Sequence, residues 1–417
     1  MTEPSLTRKK NCRLCNSKDL HSVLKLISTP PANEFVKKNE IDKKQDTYPL
    51  ELFFCKNCTH VQLLDVVNPK KLFSNYVYVS GTSPVFRKHF YDYYLWVCQF
   101  VNLNANSLVI DIGSNDGTLL KVFKDHHIKV LGVDPAVEIA KKATADGIET
   151  LPSFFDINLA KEIKSKYGLA SIITANNVFA HADNLLEIIR GIKEILSDEG
   201  VFIFEVSYLV DVIQKTLFDT IYHEHLSYHN VTSLKKFFDK NDLILKHVER
   251  VDSHGGSLRC LVTNKKSSQQ QNVSVHTLLK SENEFGISKL ETFHKFEERI
   301  IAAKIAVNNC LNLVKKSGRN IAGFGAPAKA TTLMYHFEFD SNLLDFIVDD
   351  SPLKQELFSP GLHIPIVGSK ALYEEKPDFV LILAWNFAAS IIENHKNYLK
   401  QGGKFIIPLP KMEIIEL

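Results

Sequence analysis

The sequence predicts an α/β protein in three parts: a small cysteine-rich N-terminal domain, then two separate domains of alternating strands and helices. Three observations predict this. Two Cys-x-x-Cys pairs, Cys12/Cys15 and Cys55/Cys58, stand near the start of the chain. An apolar β-branched run, a glycine-rich turn, a helical pattern and a second apolar run follow one another over residues 107–134. The same alternation restarts at 320–334 in "NIAGFGAPAKATTLM". The length of 417 residues also exceeds what one hydrophobic core usually organises. We therefore expect domains over 1–70, 71–265 and 266–417.

Composition excludes several function classes. With 45% hydrophobic and 24% charged residues the chain can bury a core and is neither disordered nor fibrous. A formal charge of +2 lacks the electrostatic footprint of a nucleic-acid binder. No apolar run follows the basic residues at the start, and no later stretch suits a membrane span, so a soluble cytoplasmic protein without membrane partners is expected.

Seven cysteines, an odd count, do not make a disulfide framework in a chain of this size. Four of them suit tetrahedral zinc, which accepts four thiolates from two such knuckles and then keeps no open position for catalysis. Cys12, Cys15, Cys55 and Cys58 are thus expected to hold a structural Zn2+, buried or redox-active thiols being the alternative. The 39 residues between the pairs imply a small sub-domain. Cys98, Cys260 and Cys310 read as isolated core thiols.

Next comes "NYVYVSGTSPVFRKHFYDYYLWVCQFVNL". Its second half reads as a helix with an aromatic packing face, and its first half, with Tyr76, Tyr78 and Ser80, as either a linker or a cleft rim. In "SLVIDIGSNDGTLL" a strand ends in Asp111, Gly113, Asn115 and Gly117, and the following strand closes on Asp134. Such units bind nucleosides, the glycines admitting close backbone approach and the distal acid accepting from ribose hydroxyls. A dinucleotide wants G-x-G-x-x-G for its pyrophosphate, whereas this loop reads D-x-G-x-N-x-G. A carboxylate at Asp111 repels a pyrophosphate and suits the cationic amino-acid end of S-adenosylmethionine, which is favoured over NAD.

Two further strands, 169–181 and 200–209, flank a helix, and the polar end of the first directs Asn176, Asn177 and His181 toward the same crevice. For His181 a capping or partly buried histidine is the alternative. "IYHEHLSYHN" at 221–230 then concentrates Tyr222, His223, Glu224, His225, Tyr228 and His229. It reads as a proton-transfer site, a metal site or a polar surface loop. His225 and His229 could share a metal only on a helix, and the helix is expected to begin later, at a Thr232 cap. "VDSHGGSLRCLVTN" reads as an edge strand with a glycine turn that offers His254 and Arg259, the latter equally an ordinary surface charge. Residues 264–283 read as a polar connector, and 286–318 as a long packing helix. In the last domain Phe324, Gly325 and Ala326 form a turn of the kind that cradles phosphate, with the Lys329 cation beside it. NAD is the rival ligand there, and Asp349 and Asp350 end the next strand, either to meet a ribose or to cap a turn.

The order of the first Cys-x-x-Cys, "FFCKNCTHVQL", "YVYVSGTS", "DIGSNDGTLL", "ANNVFAH", "YHEHLSYH", "HGGSLR" and "GFGAPAKATTLM" resembles the nucleotide-sugar C-methyltransferases. It is most similar to the 3-C-methyltransferases of TDP-linked 4-keto-deoxysugars, from Cys12 to about Pro408. The resemblance implies an N-terminal zinc domain, a central Rossmann-like S-adenosylmethionine domain and a C-terminal Rossmann-like domain that helps hold a nucleotide-diphosphate sugar, with no catalytic metal. It also implies an active-site triplet of Tyr222, Glu224 and His225, joined by His181 and Tyr76 from other loops. Tyr78, Ser80, His254, Arg259 and the Phe324–Lys329 turn fall to the substrate side. The chemistry agrees. A sugar carbon becomes a nucleophile only when an adjacent ketone acidifies its proton, and a positioned base such as His225 typically contributes about 10²–10⁴-fold. The rivals from other classes are an NAD(P)-dependent nucleotide-sugar oxidoreductase and a non-catalytic zinc-ribbon interaction protein.

Overall fold

The computed structural model describes residues 4–73 and 84–417, apart from the side chains of residues 84–86 and 254. Tyr76, Tyr78 and Ser80, and the side chain of His254, lie outside the described residues.

Near the N-terminus, strands Leu20–Thr29, Tyr48–Cys55 and Val61–Leu63 form an antiparallel meander; its first two strands occupy the spacer expected to hold a sub-domain, and the third follows the second knuckle. A fourth strand completes this sheet, and it comes from far away in the chain. Ser227–Tyr228 pairs with Val61–Leu63, setting Ser227 opposite Gln62 and Tyr228 opposite Val61. The histidine-rich stretch is therefore built into the cysteine-rich domain.

The central sheet has seven strands, ordered 243–251, 257–264, 196–207, 170–176, 108–112, 129–133 and 150–151. Strand 257–264 is antiparallel to both neighbours, and the other pairs are parallel. Strand Leu108–Ile112 is buried along its whole length, which is why it reads as a continuous apolar run rather than an alternating one. Its neighbours are 129–133 and 170–176, so the strand order reverses beside it and a crevice opens at the carboxyl ends. A six-stranded C-terminal sheet, parallel but for its last strand Glu413–Ile415, repeats this plan around Ile321–Phe324. An α/β chain with a small cysteine-rich N-terminal domain is what the sequence predicts; the antiparallel pairing of that small domain is seen only in the structure.

Four local expectations are corrected, the simplest being that Cys98 is exposed rather than a core thiol. Helix Val231–Lys240 is capped by Asn230, whose side chain accepts from the Ser233 amide, and not by Thr232. Thr232 is already inside the first turn, where its amide, its hydroxyl and the Val231 amide all donate to Glu282. A buried carboxylate thus satisfies the exposed donors of a helix start. Residues 264–283 are not connector throughout, because helix Val273–Phe285 supplies that carboxylate. Strand Ser257–Asn264 is interior, since Leu243–Val251 pairs outside it.

The domains are locked together by helix Ala328–Phe337, which follows the C-terminal glycine turn. Its Thr332 hydroxyl donates to the Ile221 carbonyl at 2.8 Å and its Thr331 hydroxyl to the Ala32 carbonyl at 3.2 Å. Lys329 lies 3.4 Å from Asp219, to which Trp385 also donates at 2.6 Å. The long helix Leu290–Lys316 sets Phe293 against Phe54 of the N-terminal sheet, with ring centres 5.4 Å apart. Among the described residues, no helix is long and apolar enough to cross a membrane.

Candidate active site

The four N-terminal cysteines converge. Cys12 and Cys58 sulfurs lie 3.6 Å apart, Cys15 and Cys55 sulfurs 3.5 Å, and all four within 4.8 Å of one another. A zinc–sulfur bond of about 2.3 Å in a tetrahedron requires sulfurs about 3.8 Å apart, so the set fits the ion. Each knuckle turns in the same way. Asn16 and Thr59, four residues past Cys12 and Cys55, take left-handed conformations (φ 65° and 69°) and return their amides to those cysteines' carbonyls.

At the crevice of the central sheet, Gly113 is left-handed (φ 73°), and a Cβ there would collide with Val178. Gly117 is left-handed as well (φ 75°) and faces Ile148. The turn is pinned from the next strand: Asp134 accepts the Asn115 amide on one oxygen and the Ala136 amide on the other, each at 2.8 Å. Asp111 accepts from the Thr174 hydroxyl at 2.6 Å. Burial pushes the Asp111 carboxyl up to about 7, against the pull of Thr174 and with the nearby Asp134 adding to the rise. Asp134 is raised too, again by burial. Two buried carboxylates whose charge no cation offsets among the described residues suit a ligand that brings its own positive charge. The Ser114 hydroxyl is buried against Gly132 of the next strand, with no hydrogen-bond partner among the described residues.

Asn176 and Asn177 end the adjoining strand. The Asn176 side chain accepts the Glu205 amide at 3.1 Å, and the left-handed Asn177 (φ 55°) donates its amide to the Glu205 carbonyl at 2.8 Å. Glu205 itself was not singled out by the sequence. It is buried between His89 (2.9 Å) and Arg259 (2.6 Å). Burial opposes its charge, but these two partners outweigh that and hold the carboxyl below its ordinary range. Arg259 is accordingly engaged: its guanidinium packs over Tyr93 and Trp96 and pairs with Glu205. Lys329 is engaged in the same sense, with Asp219 beside it and the Trp385 ring 4.2 Å from its ammonium. In the C-terminal turn Gly325 is left-handed (φ 88°), and Asp349 accepts the Ala326 and Ser351 amides, repeating the device of Asp134.

The 221–230 stretch is not a surface loop. All of it is buried except Tyr222 and His225, which are partly exposed. His225 Nδ1 meets the Thr220 carbonyl at 2.7 Å. Its ring centre lies 4.1 Å from that of Tyr222 and 5.0 Å from that of His181, which reaches in from the 177–183 loop. Glu224 is buried and accepts from Asn33 of the N-terminal domain at 2.7 Å. His223 meets the Tyr48 carbonyl at 3.2 Å, and His229 packs between His60 and Phe179. Burial depresses both of these imidazoles to about 4, so they are neutral packing groups at pH 7. Sequence reasoning passed over Asn33, Thr174 and Glu205 because each stands in an ordinary context; only strand pairing and domain docking bring them to the site.

Three family comparisons cover almost the whole chain: a zinc binding domain at residues 12–73, a methyltransferase domain at 87–248 and the C-methyltransferase C-terminal domain at 252–410. The chain is 32% identical over 404 residues to the C-methyltransferase NovU of Streptomyces niveus, a match spanning 97% of this chain and 96% of that protein. Among solved structures, an S-adenosylmethionine-dependent methyltransferase from Anabaena variabilis is 15% identical, covering 44% of this chain and 86% of that one at a TM-score of 0.35. Another from Clostridium acetobutylicum is also 15% identical, covering 43% and 92% at 0.35. Those two scores are too low to carry weight. The end-to-end relative and the three family matches, which fall on the cysteine quartet, the central sheet and the second sheet, are decisive: this chain belongs to the S-adenosylmethionine-dependent C-methyltransferases that bear an N-terminal zinc domain.

Proposed function

We propose that the acceptor is a nucleotide-linked 4-keto-deoxysugar, methylated at the carbon adjacent to its ketone, C3, with His225 as the general base. One contact carries the assignment of the base: His225 Nδ1 at 2.7 Å from the Thr220 carbonyl. A carbonyl only accepts, so Nδ1 bears the proton and the basic lone pair sits on Nε2. A partly exposed imidazole of fixed tautomer, between Tyr222 and His181, suits removal of a proton from a bound sugar carbon. The Tyr222 hydroxyl suits donation to the enolate oxygen that then develops. Glu224, an acceptor when ionised and already holding Asn33, suits orientation of the donors around it.

S-adenosylmethionine, when bound, supplies the electrophilic methyl on a sulfonium. We assign its holding to Asp111, Gly113, Asn115, Gly117, Asp134, Asn176 and Asn177, whose strand ends and turns line the crevice beside strand 108–112. We assign the nucleotide sugar to Tyr78, Ser80, His254 and the Phe324–Ala326 turn, and keep Tyr76 with His181 beside the catalytic triplet. Arg259 and Lys329, already ion-paired, act there through the walls they stiffen.

His225→Asn tests the base. Turnover is expected to fall about 10²–10⁴-fold while cofactor affinity by calorimetry stays within about twofold. Undiminished turnover removes His225 from the role. Incubation with labelled methyl donor and a panel of 4-keto nucleotide sugars tests the acceptor. NMR should place the label next to the ketone, and a label elsewhere, or on none of the panel, overturns the substrate.

A further inference from the structure

We propose that Arg13, inside the first zinc knuckle, and its partner Asp183 are positioning residues that hold the His225 and His181 loops in register with each other. Arg13 stands between the ligands Cys12 and Cys15, and its side chain is fully buried, with its hydrogen bonds going to groups other than those cysteines. Its Nε donates to Asp183 at 3.1 Å. Its Nη1 donates to the Leu63 carbonyl, to Gln62 at 3.2 Å and to the Leu226 carbonyl at 3.4 Å. Leu226 directly follows His225, and Asp183 lies two residues beyond His181. One guanidinium therefore ties together the two loops whose imidazoles stand 5.0 Å apart.

Neighbouring contacts work the same way. The Leu226 carbonyl also accepts the Leu63 amide at 3.0 Å, and the Ser227 amide donates to the Ala180 carbonyl at 3.0 Å. Asp183 takes a second cation, Lys9, at 2.9 Å. Filling a gap between zinc knuckle and sheet needs no charge, and a buried ion pair is weak evidence for stability against an apolar filler. A planar fork that grips two separate loops gives geometry instead. The geometry matters because a misplacement of about 1 Å can cost 10²-fold in rate.

This inference rests on the reading of His225 as base, and its test separates the two. Asp183→Asn, at a partly exposed carboxylate, and Arg13→Lys are made in the zinc-loaded full chain. Both are expected to keep wild-type zinc content and cofactor affinity, with kcat down by about 10–100-fold and KM for the sugar little changed. The 15N resonances of the His225 and His181 imidazoles should shift in Asp183→Asn, a change that a merely structural residue would not cause selectively. Unchanged kcat in Asp183→Asn, unmoved imidazole resonances, or zinc loss parallel to the loss of kcat each overturns the proposal. Asp183→Asn decides alone if Arg13→Lys does not fold. If His225→Asn proves active, the base reading falls, while the imidazole resonances still report whether Arg13 and Asp183 hold the rings.

Discussion

Asp111 faces two opposed demands. Buried beside Asp134, it titrates near 7 in the cofactor-free protein, against an ordinary value of 3.8. Between those values the folded chain holds a proton that the unfolded chain has released, so this group's contribution to stability falls as pH rises from about 4 to about 7 and stays low above. A cation bound beside it reverses the preference. We expect cofactor affinity to weaken as pH drops below 7, by up to about tenfold per unit, because the carboxyl must ionise first. Asp111→Asn should abolish that dependence, weaken cofactor binding severely and stabilise the cofactor-free protein at pH 8 by on the order of a few kcal/mol. Calorimetry across pH and denaturant unfolding check both halves; pH-independent binding in the wild type contradicts the role. Asp111 was legible in the sequence because it precedes a glycine turn. Its hydrogen-bond donor, Thr174, was not, since a threonine in an apolar strand carries no mark of the neighbour it will meet.

Among the elements, the glycine turn after strand Leu108–Ile112 depends most directly on residue type. Gly113→Ala adds a Cβ at a left-handed residue and drives it into Val178. We expect about 1–3 kcal/mol of destabilisation from the backbone strain, with cofactor affinity lost in step as the turn shifts. Thermal unfolding and calorimetry check this, and an alanine tolerated in both would show that the turn relaxes cheaply. This turn could be read in advance because glycine spacing encodes a local conformation. The start of helix Val231–Lys240 could not. Asn230 and Thr232 are both good caps by composition. Asn230 prevails because its side chain also donates to the Thr59 carbonyl, while Glu282 from another helix occupies the first-turn donors. The polar stretch that resembled a connector turns helical at Val273, where Asn272 caps it, and its Glu282 docks it on the neighbouring helix.

At the scale of the molecule, the C-terminal domain is fastened to the segment just before the histidine-rich stretch through Asp219, Lys329 and Trp385. Burial lowers Lys329 and raises Asp219, so each charge depends on the other. Asp219→Ala leaves a buried ammonium without its carboxylate and is expected to cost about 3–5 kcal/mol. Asp219→Ala with Lys329→Met should recover part of that loss. Denaturant unfolding of both variants checks the coupling, and equal stability of the single variant and wild type would show that the pair is not a lock.

The sequence by itself determined the zinc quartet, the α/β class and the two glycine turns, because ligand spacing, apolar runs and left-handed glycines are properties of short stretches. It also marked His225 and its neighbours as chemically dense. Only the tertiary structure decided that this stretch closes the zinc-domain sheet, that Arg13 reaches Leu226 and Asp183, and that Asn33 meets Glu224. Those contacts join residues more than 150 positions apart. Pairings at such separation are chosen by how whole sheets and helices bury their apolar faces, and no local pattern records that choice.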